Sequence, residues 1–321
     1  MEFSPDKPTE PAEPQSENDP AIPWGWLRAT LFLFVWMVAQ VGVGLALHFT
    51  LGGNDAVAHD NFSEAKRETY SQVGQLLVTL LFAFIFRRLI DRRSFKSLGF
   101  SLQSPFSSDL IRGLLLGLVL MLLMYCTLIF TNQISVEFIG FNPAAIAWLL
   151  VLMVVVGLNE EIAVRGYILK NLFDTFSRNR WVGLVLTAGL FSLLHLLNPN
   201  SSWAGLANII LAGLVLGLYY LHRGNLWFPI GLHFSWNFVQ GPILGSPVSG
   251  KNVPSILAYS ADGDELLTGG AFGLEASLLT TVSLLAALIW IHFTYRPRLE
   301  SEAGLSASDS PPKDPTFPDR T

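Results

Sequence analysis

Cysteine is almost missing from this chain of 321 residues, in which Cys126 stands alone. An intrachain disulfide and a cysteine-based zinc site are therefore excluded. The sequence also lacks a His-Glu-x-x-His motif, which excludes the ordinary zincin arrangement of zinc ligands. Charged residues make up only 14%, and no basic stripe is interleaved with aromatic residues. We therefore expect no nucleic acid among the partners of this protein.

Apolar residues are abundant, at 51% of the chain, and the mean hydropathy is +0.44. Charges are confined to the gaps between apolar runs, most of them near 20 residues long, which favours a polytopic membrane protein over a soluble domain. The sequence predicts an all-α membrane helix bundle with about eight transmembrane helices. These span approximately residues 26–49, 70–89, 110–131, 144–176, 181–197, 203–221, 226–239 and 274–295.

The chain divides into five predicted segments. Residues 1–22 hold five prolines, six acids and one lysine, so we expect a disordered tail and no cleavable signal peptide. Residues 23–143 contain helices 1–3, and residues 144–240 contain helices 4–7. Residues 241–296 combine a polar, glycine-rich loop with helix 8, and residues 297–321 form a second tail that we expect to be disordered.

Basic residues fall mainly in alternate gaps between the predicted helices. By the positive-inside rule these gaps face the cytoplasm, so both termini are predicted to be cytoplasmic and the 241–273 loop extracytoplasmic. The basic residues on that side are Arg87, Arg88, Arg92, Arg93, Lys96, Lys170, Arg178, Arg180, Arg223, Arg296 and Arg298. We expect a multi-pass protein in contact with membrane lipid, and the short loops and acidic tails are compatible with a bacterial inner membrane.

Two adjacent acids, Glu160 and Glu161, interrupt the fourth apolar run and are followed by Arg165. An ionisable group at membrane depth costs at least ~2.5–3.5 kcal/mol on insertion scales, so such groups pair or serve a function. Glu161 and Arg165 are four residues apart on a helix, and we expect an ion pair between them. Glu160 points about 100° away from Glu161 and needs a different partner.

Three further polar residues lie within apolar helices, and the topology predicts that they meet Glu160. His195 and Glu160 are about equally far from the turn near Arg178, so an antiparallel hairpin brings them to the same level. His233 and Asn237 are four residues apart and share one helix face. We expect all four side chains to converge in the cytoplasmic half of the bilayer.

This set of side chains suits hydrolysis. Glu160 can accept a proton from water, a histidine can orient that water, and a His/Asn pair can donate hydrogen bonds to an oxyanion. The same groups could instead bind a divalent metal such as zinc through Glu160, His195 and His233, with one position open for water. The residues alone do not decide between the two chemistries.

The motifs Glu160-Glu161-x-x-x-Arg165, Phe191-x-x-x-His195 and His233-x-x-x-Asn237 resemble those of the CAAX-protease and bacteriocin-processing family, also called the Abi family. Its members are intramembrane endopeptidases similar to the type II CAAX prenyl endopeptidase. The resemblance covers residues 148–240, in the order and with the intervals of the family.

The resemblance implies a role for each matching residue. Glu160 is implied to be the general base, with His195 helping to activate water. His233 and Asn237 are implied to be oxyanion donors or, in a metalloprotease description, metal ligands. Glu161 and Arg165 are implied to be supporting residues.

Other functions stay open at this point. Buried carboxylates and histidines also serve as proton relays, so a proton-coupled transporter is one alternative. A membrane partner without activity, such as an immunity or scaffold protein, is another. For a protease, the resemblance implies a prenylated CAAX-like peptide or another membrane-associated peptide or protein as substrate.

Overall fold

The computed structural model describes residues 19–50, 61–100 and 106–296. Both predicted disordered tails lie outside these ranges, except for residues 19–22. The helices are α1 Gly25–Thr50, α2 Asn61–Ile85, α3 Phe106–Phe130, α4 Pro143–Glu161, α5 Lys170–Thr175, α6 Arg180–Leu194, α7 Trp203–Arg223, α8 Trp227–Phe238, α9 Glu265–Thr268 and α10 Leu278–Tyr295. Wider π-helical turns at Phe86–Ile90, Ile162–Leu169 and Val239–Ile243 continue α2, α4 and α8.

The predicted all-α membrane bundle is confirmed, and a helix stands at each of the eight predicted positions. Within the described residues, six helical segments are long and apolar enough to cross a membrane. They are Gly25–Thr50, Ala65–Ile90, Ser107–Phe130, Pro143–Thr175, Trp203–Arg223 and Leu278–Tyr295. The other two, α6 with 15 residues and α8 with 12, are shorter than an ordinary span.

Helix α6 ends at Leu194, three residues before the predicted end. The backbone N–H of His195 donates to the carbonyl of Ser192, three residues back, and this tighter turn closes the helix. Pro199 follows shortly and lacks the N–H that a continuing helix would need. His195 therefore caps the helix instead of lying within it.

Glycines allow the helices around the site to approach closely. A side chain at Gly113 of α3 would collide with the backbone of Phe228 in α8, and one at Gly231 of α8 would collide with Leu110. A side chain at Gly213 of α7 would press on Ala188 of α6. Small residues at such contacts are typical of helix packing in membranes.

The outer surface of the bundle is apolar. Phe34, Val41, Leu123 and Ile289 are each 60–67% exposed, although they belong to long helices with buried opposite faces. Exposed apolar side chains on several adjacent helices suit contact with lipid, because a soluble monomer rarely carries large apolar patches.

A small antiparallel sheet was not predicted. Strand β1, Ile134–Phe138, pairs with strand β2, Leu257–Ala261, and Val136 lies opposite Tyr259. Both stretches were expected to be loop, because five residues are too few for the alternation in β1 to outweigh the polar connections around them. The sheet places the β1 loop and the long loop after α8 at the same end of the bundle.

The basic cluster near Arg87 is explained from the sequence by topology and by contact with anionic lipid, and the lipid contact is wrong for Arg87. Arg87 is buried and its Nη1 lies 2.7 Å from Asp91 Oδ2. The other oxygen of Asp91 accepts from Arg28 and from the hydroxyl of Tyr167, each at 3.1 Å. This buried network joins α1 and the end of α2 to the π-helical turn that follows the paired glutamates.

Candidate active site

Glu160 and Glu161 end α4, where the chain passes into the π-helical turn Ile162–Leu169. Their side chains point to different surroundings, as the 100° helical step requires. Glu161 is completely buried, whereas a quarter of the Glu160 side chain is accessible. π-Helical turns often occur at functional sites.

Glu161 joins two other motif residues. Its Oε1 lies 2.7 Å from Nη1 of Arg165 and accepts a hydrogen bond from Nδ1 of His233 at 2.9 Å. The guanidinium of Arg165 stacks over the ring of Phe191, 4.1 Å from its centre. The predicted Glu161–Arg165 ion pair is thus present. It also contacts one residue from each of the two other motifs, namely Phe191 and His233.

The two histidines direct their Nε2 atoms at Glu160. His195 Nδ1 donates to the carbonyl of Phe191 at 2.7 Å, and His233 Nδ1 is bound to Glu161. Their Nε2 atoms lie 3.9 and 3.8 Å from Oε2 of Glu160. These distances are too long for direct hydrogen bonds, but a water molecule about 2.8 Å from each atom would bridge them.

Oε2 of Glu160 is buried, and it has no hydrogen-bond partner among the residues that the structure describes. A buried carboxylate oxygen without a donor is costly, so a polar ligand at this point is expected. The two Nε2 atoms would contact the same ligand. The geometry therefore defines a place for one small polar molecule between three side chains from three helical elements.

The same three side chains have the right chemistry for zinc, namely two imidazole nitrogens and a carboxylate oxygen. A tetrahedral zinc site would hold such donor atoms about 3.3–3.4 Å apart, which is closer than observed. Within residues 19–50, 61–100 and 106–296, no group of three or more His, Cys, Asp or Glu is spaced for a metal ion. The set can hold a bridging water at the observed distances, and it would hold a zinc ion if its donor atoms moved closer together by about 0.5 Å.

A cavity of about 370 Å³ opens beside Glu160. Asn237 lies on its wall, one helical turn after His233, and is 7% exposed. The sequence-predicted residues Glu160, His195, His233 and Asn237 all border this one cavity, whereas Glu161 and Arg165 are buried behind it. Lys251, from the loop predicted to be extracytoplasmic, borders the same cavity, which therefore extends nearer to that loop than the cytoplasmic depth predicted for the site. Leu152, Val164 and Leu232 contribute apolar wall.

Residues of α1 and α2 that the sequence analysis did not consider hold the helix next to Glu160. Asn159 accepts hydrogen bonds from Thr79 and Gln40, and Thr79 in turn accepts from the indole N–H of Trp36 at 2.6 Å. Gln40 and Asn159 also line the cavity. Thr79 and Gln40 stand singly in apolar helices, so their sequence gives little sign of this role.

Glu275 is a second acid on the cavity wall, and it was not among the residues predicted from the sequence. It lies in the short turn Leu274–Ala276 before α10, and Ser249 donates its backbone N–H to Oε2 at 2.5 Å. Burial raises the pKa of the Glu275 carboxyl, while the Ser249 hydrogen bond and the charges of His195 and His233 act to lower it. A single acid directly before an apolar run was the available signal.

The comparisons with known proteins support the motif interpretation. Residues 142–239 match the sequence model of the family described as "Type II CAAX prenyl endopeptidase Rce1-like". The matched region contains all six predicted site residues and the helices that carry them.

An "Uncharacterized 24.3 kDa protein" of Escherichia coli is 31% identical over 91 residues, which cover 28% of this chain and 41% of that protein. The chain thus spans less than half the length of this relative. No solved structure matches the chain significantly. With its six apolar helices, the chain is an integral, multi-pass membrane protein, and its residues 142–239 are similar to the Rce1-like family of type II CAAX prenyl endopeptidases.

Proposed function

We propose that this protein is an intramembrane endopeptidase that hydrolyses a peptide bond in a membrane-associated substrate. The observation that carries the proposal is the convergence of His195 Nε2 and His233 Nε2 on the unpaired Oε2 of Glu160 at the edge of a cavity. The family match over residues 142–239 supports the same reaction class.

The proposed reaction begins with a water molecule bound between Oε2 of Glu160 and Nε2 of His195. Nδ1 of His195 donates to the Phe191 carbonyl, so its Nε2 carries a lone pair that can orient the water. Glu160 takes a proton from the water, and the hydroxide oxygen bonds to the carbonyl carbon of the substrate. The proton then passes from Glu160 to the leaving nitrogen as the C–N bond breaks.

His233 and Asn237 are proposed to stabilise the oxyanion that forms in between. The carboxylate of Glu161 accepts from His233 Nδ1 and thereby favours an imidazolium whose Nε2–H can donate toward the cavity. The Asn237 amide can donate without a change in charge. Donors held in place by buried partners are effective because they need no reorganisation during the reaction.

The proposal includes the kind of substrate and the membrane in which the protein lies. A prenylated CAAX-like peptide is one substrate, and another membrane-associated peptide is the alternative. The relative from Escherichia coli and the pattern of basic residues favour a bacterial inner membrane with cytoplasmic termini.

The test compares membrane peptides from cells that express the wild-type protein or the Glu160→Gln variant at equal levels. We expect precursors to accumulate with Glu160→Gln, and the purified wild-type protein to cleave them in proteoliposomes. Full cleavage by Glu160→Gln would contradict the proposal. So would a proton or solute flux that depends on Glu160 and occurs without proteolysis, since that result identifies a transporter.

A further inference from the structure

Glu275 is the buried acid that the proposed reaction does not use. It is 9% exposed and lines the same cavity as Glu160 and His195. The next residue, Ala276, packs in one apolar cluster with Val164 and Phe191, which belong to the first and second motif segments. The turn that carries Glu275 is therefore part of the wall around the reacting groups.

Two sets of hydrogen bonds fix this turn. Ser249 and Gly250 form a tight turn with φ of 46° and 81°, and the flanking Val248 and Lys251 exchange two backbone hydrogen bonds of 2.9 Å. This conformation directs the Ser249 N–H at the Glu275 carboxylate. On the other side, the Asn208 amide donates to the carbonyl of Glu275 at 2.8 Å.

In the described part of the chain, the groups whose positive charge acts on Glu275 are the imidazoles of His195 and His233. Glu275 forms no ion pair with a lysine or arginine there, and Lys251, on the same cavity wall, is exposed and not bonded to it. Arg165 is already paired with Glu161. A buried carboxylate without a cation is costly, so a cationic ligand that entered the cavity would be bound more tightly for that reason.

We propose that Glu275 is a specificity-determining residue that binds the cationic side chain of a lysine or arginine near the scissile bond of the substrate. This inference rests on the proposed endopeptidase function. The remaining cavity charges agree with it, because Glu68 and Glu160 add negative charge and Lys251 is the one lysine or arginine among the lining residues that the structure describes. A cation beside Glu275 would also offset the effect of burial, which raises the pKa of its carboxyl.

The experiment uses the full-length protein in proteoliposomes and pairs of peptides derived from an accumulated precursor. The peptides in a pair differ by lysine or its neutral isostere norleucine at one position flanking the scissile bond. We expect wild type to prefer lysine at one such position by about tenfold or more in kcat/KM, as one hydrogen bond to a charged group provides. In Glu275→Gln, the ratio of kcat/KM for the lysine peptide to kcat/KM for the norleucine peptide should fall toward one.

Glu265→Gln is the matched control, because Glu265 is exposed in the same segment of the chain and does not line this cavity. It should keep the lysine preference. Equal preference in Glu275→Gln and wild type would overturn the inference. A wild type that cleaves both members of every pair equally would also overturn it, whether or not Glu275→Gln folds.

A binding measurement separates this inference from the proposed function. Fluorescence anisotropy uses labelled apolar model peptides, again in lysine and norleucine pairs, which do not depend on any precursor. The Glu160→Gln protein should bind the lysine members more tightly, and the Glu160→Gln/Glu275→Gln protein should lose this preference. Lysine-selective binding that needs Glu275, in a wild-type protein that cleaves nothing, would support the cation site and contradict the peptidase. Cleavage that needs Glu160 but does not depend on Glu275 would support the peptidase and contradict the cation site.

Discussion

Oε1 of Glu161 accepts a hydrogen bond from Nδ1 of His233 at 2.9 Å. The same oxygen lies 2.7 Å from Arg165. One carboxylate therefore orients an imidazole on α8 and neutralises a buried guanidinium on its own helix. Glu161 is buried behind the cavity, so in the proposed mechanism it would act as a positioning residue through His233.

Replacement of Glu161 should affect both stability and turnover. Glu161→Ala leaves Arg165 buried without its partner, and we expect a loss of about 3–5 kcal/mol in the free energy of unfolding, measured in detergent micelles. Glu161→Gln keeps the size and an acceptor oxygen but lowers the charge beside His233. We expect kcat to fall by about 10–100-fold with little change in KM.

A kcat unchanged in Glu161→Gln would show that Glu161 serves only the fold. The His233→Gln variant tests whether the loss of kcat in Glu161→Gln arises through His233. If Glu161 acts through His233, then adding Glu161→Gln to His233→Gln should cause little further loss of kcat.

Substitution of Glu160 or His195 should separate activity from stability. Because Oε2 of Glu160 has no bonded partner in the described chain, Glu160→Gln removes no ion pair with lysine or arginine and should leave the melting temperature in detergent equal or higher. Loss of the proposed general base or of the proposed water-orienting imidazole should reduce cleavage by about 10²–10⁴-fold. Peptide cleavage and thermal unfolding are measured on the same preparations of Glu160→Gln and His195→Gln.

Glu137→Gln is a suitable control for the charge change, since Glu137 is exposed on strand β1. Its cleavage rate should equal that of wild type. Activity of Glu160→Gln within a few-fold of wild type would remove the proposed base.

We expect the Asn237 side chain to stabilise the transition state more than it stabilises the bound substrate. Asn237→Ala removes a neutral donor from the cavity wall, and we expect kcat to fall by about 10²–10³-fold while KM changes little. Asn237→Asp keeps the shape and adds a negative charge where the oxyanion forms, so its loss should be at least as large. A higher KM at unchanged kcat would instead place Asn237 in ground-state binding.

Metal removal tests whether hydrolysis needs a bound divalent metal, which the residues alone did not decide. The Nε2 and Oε2 atoms are 3.8–3.9 Å apart, which suits a bridging water, so we expect dialysis against a chelator to leave peptide cleavage unchanged. Elemental analysis of the purified protein provides the second measurement. A loss of cleavage that zinc restores, with zinc bound at one equivalent in wild type and absent from His233→Gln, would establish a metalloprotease.

Neighbouring arginines on α2's π-helical turn offer a matched test of the buried network. Arg87 is paired with Asp91 inside the bundle, whereas Arg88 is exposed. Arg87→Ala leaves part of the Asp91 charge uncompensated and should lower the free energy of unfolding by about 3 kcal/mol or more. Arg88→Ala should change it by less than about 0.5 kcal/mol. Equal effects of both variants on the unfolding midpoint would contradict the role assigned to Asp91.

Much of the fold was predictable because lipid imposes strong local rules on sequence. Long apolar runs with charges at their ends gave the eight helix positions, since a span must satisfy its backbone hydrogen bonds internally. The ends of α6 and α8 were less predictable. The tight turn at His195 and the π-helical turn containing Pro242 depend on local hydrogen bonds that periodicity does not reveal.

The site was predictable where its residues are costly in an apolar helix. Glu160, His195 and His233 stood out for that reason, and helical geometry separated Glu160 from Glu161. Glu275 and Thr79 did not stand out, because one lies in a connection and the other is an ordinary small polar residue. Their positions depend on how distant segments pack, which a single stretch of sequence does not encode.

The sequence by itself determined that the chain is a membrane helix bundle with charged and imidazole groups at a shared depth, because burying such groups in lipid is too costly to be accidental. Only the tertiary structure decided which atoms face one another. Glu161, and not Glu160, bonds directly to His233, and the loop before α10 adds Glu275 to the cavity. Those contacts depend on helix rotation and on long-range packing, and both are set by the whole bundle at once.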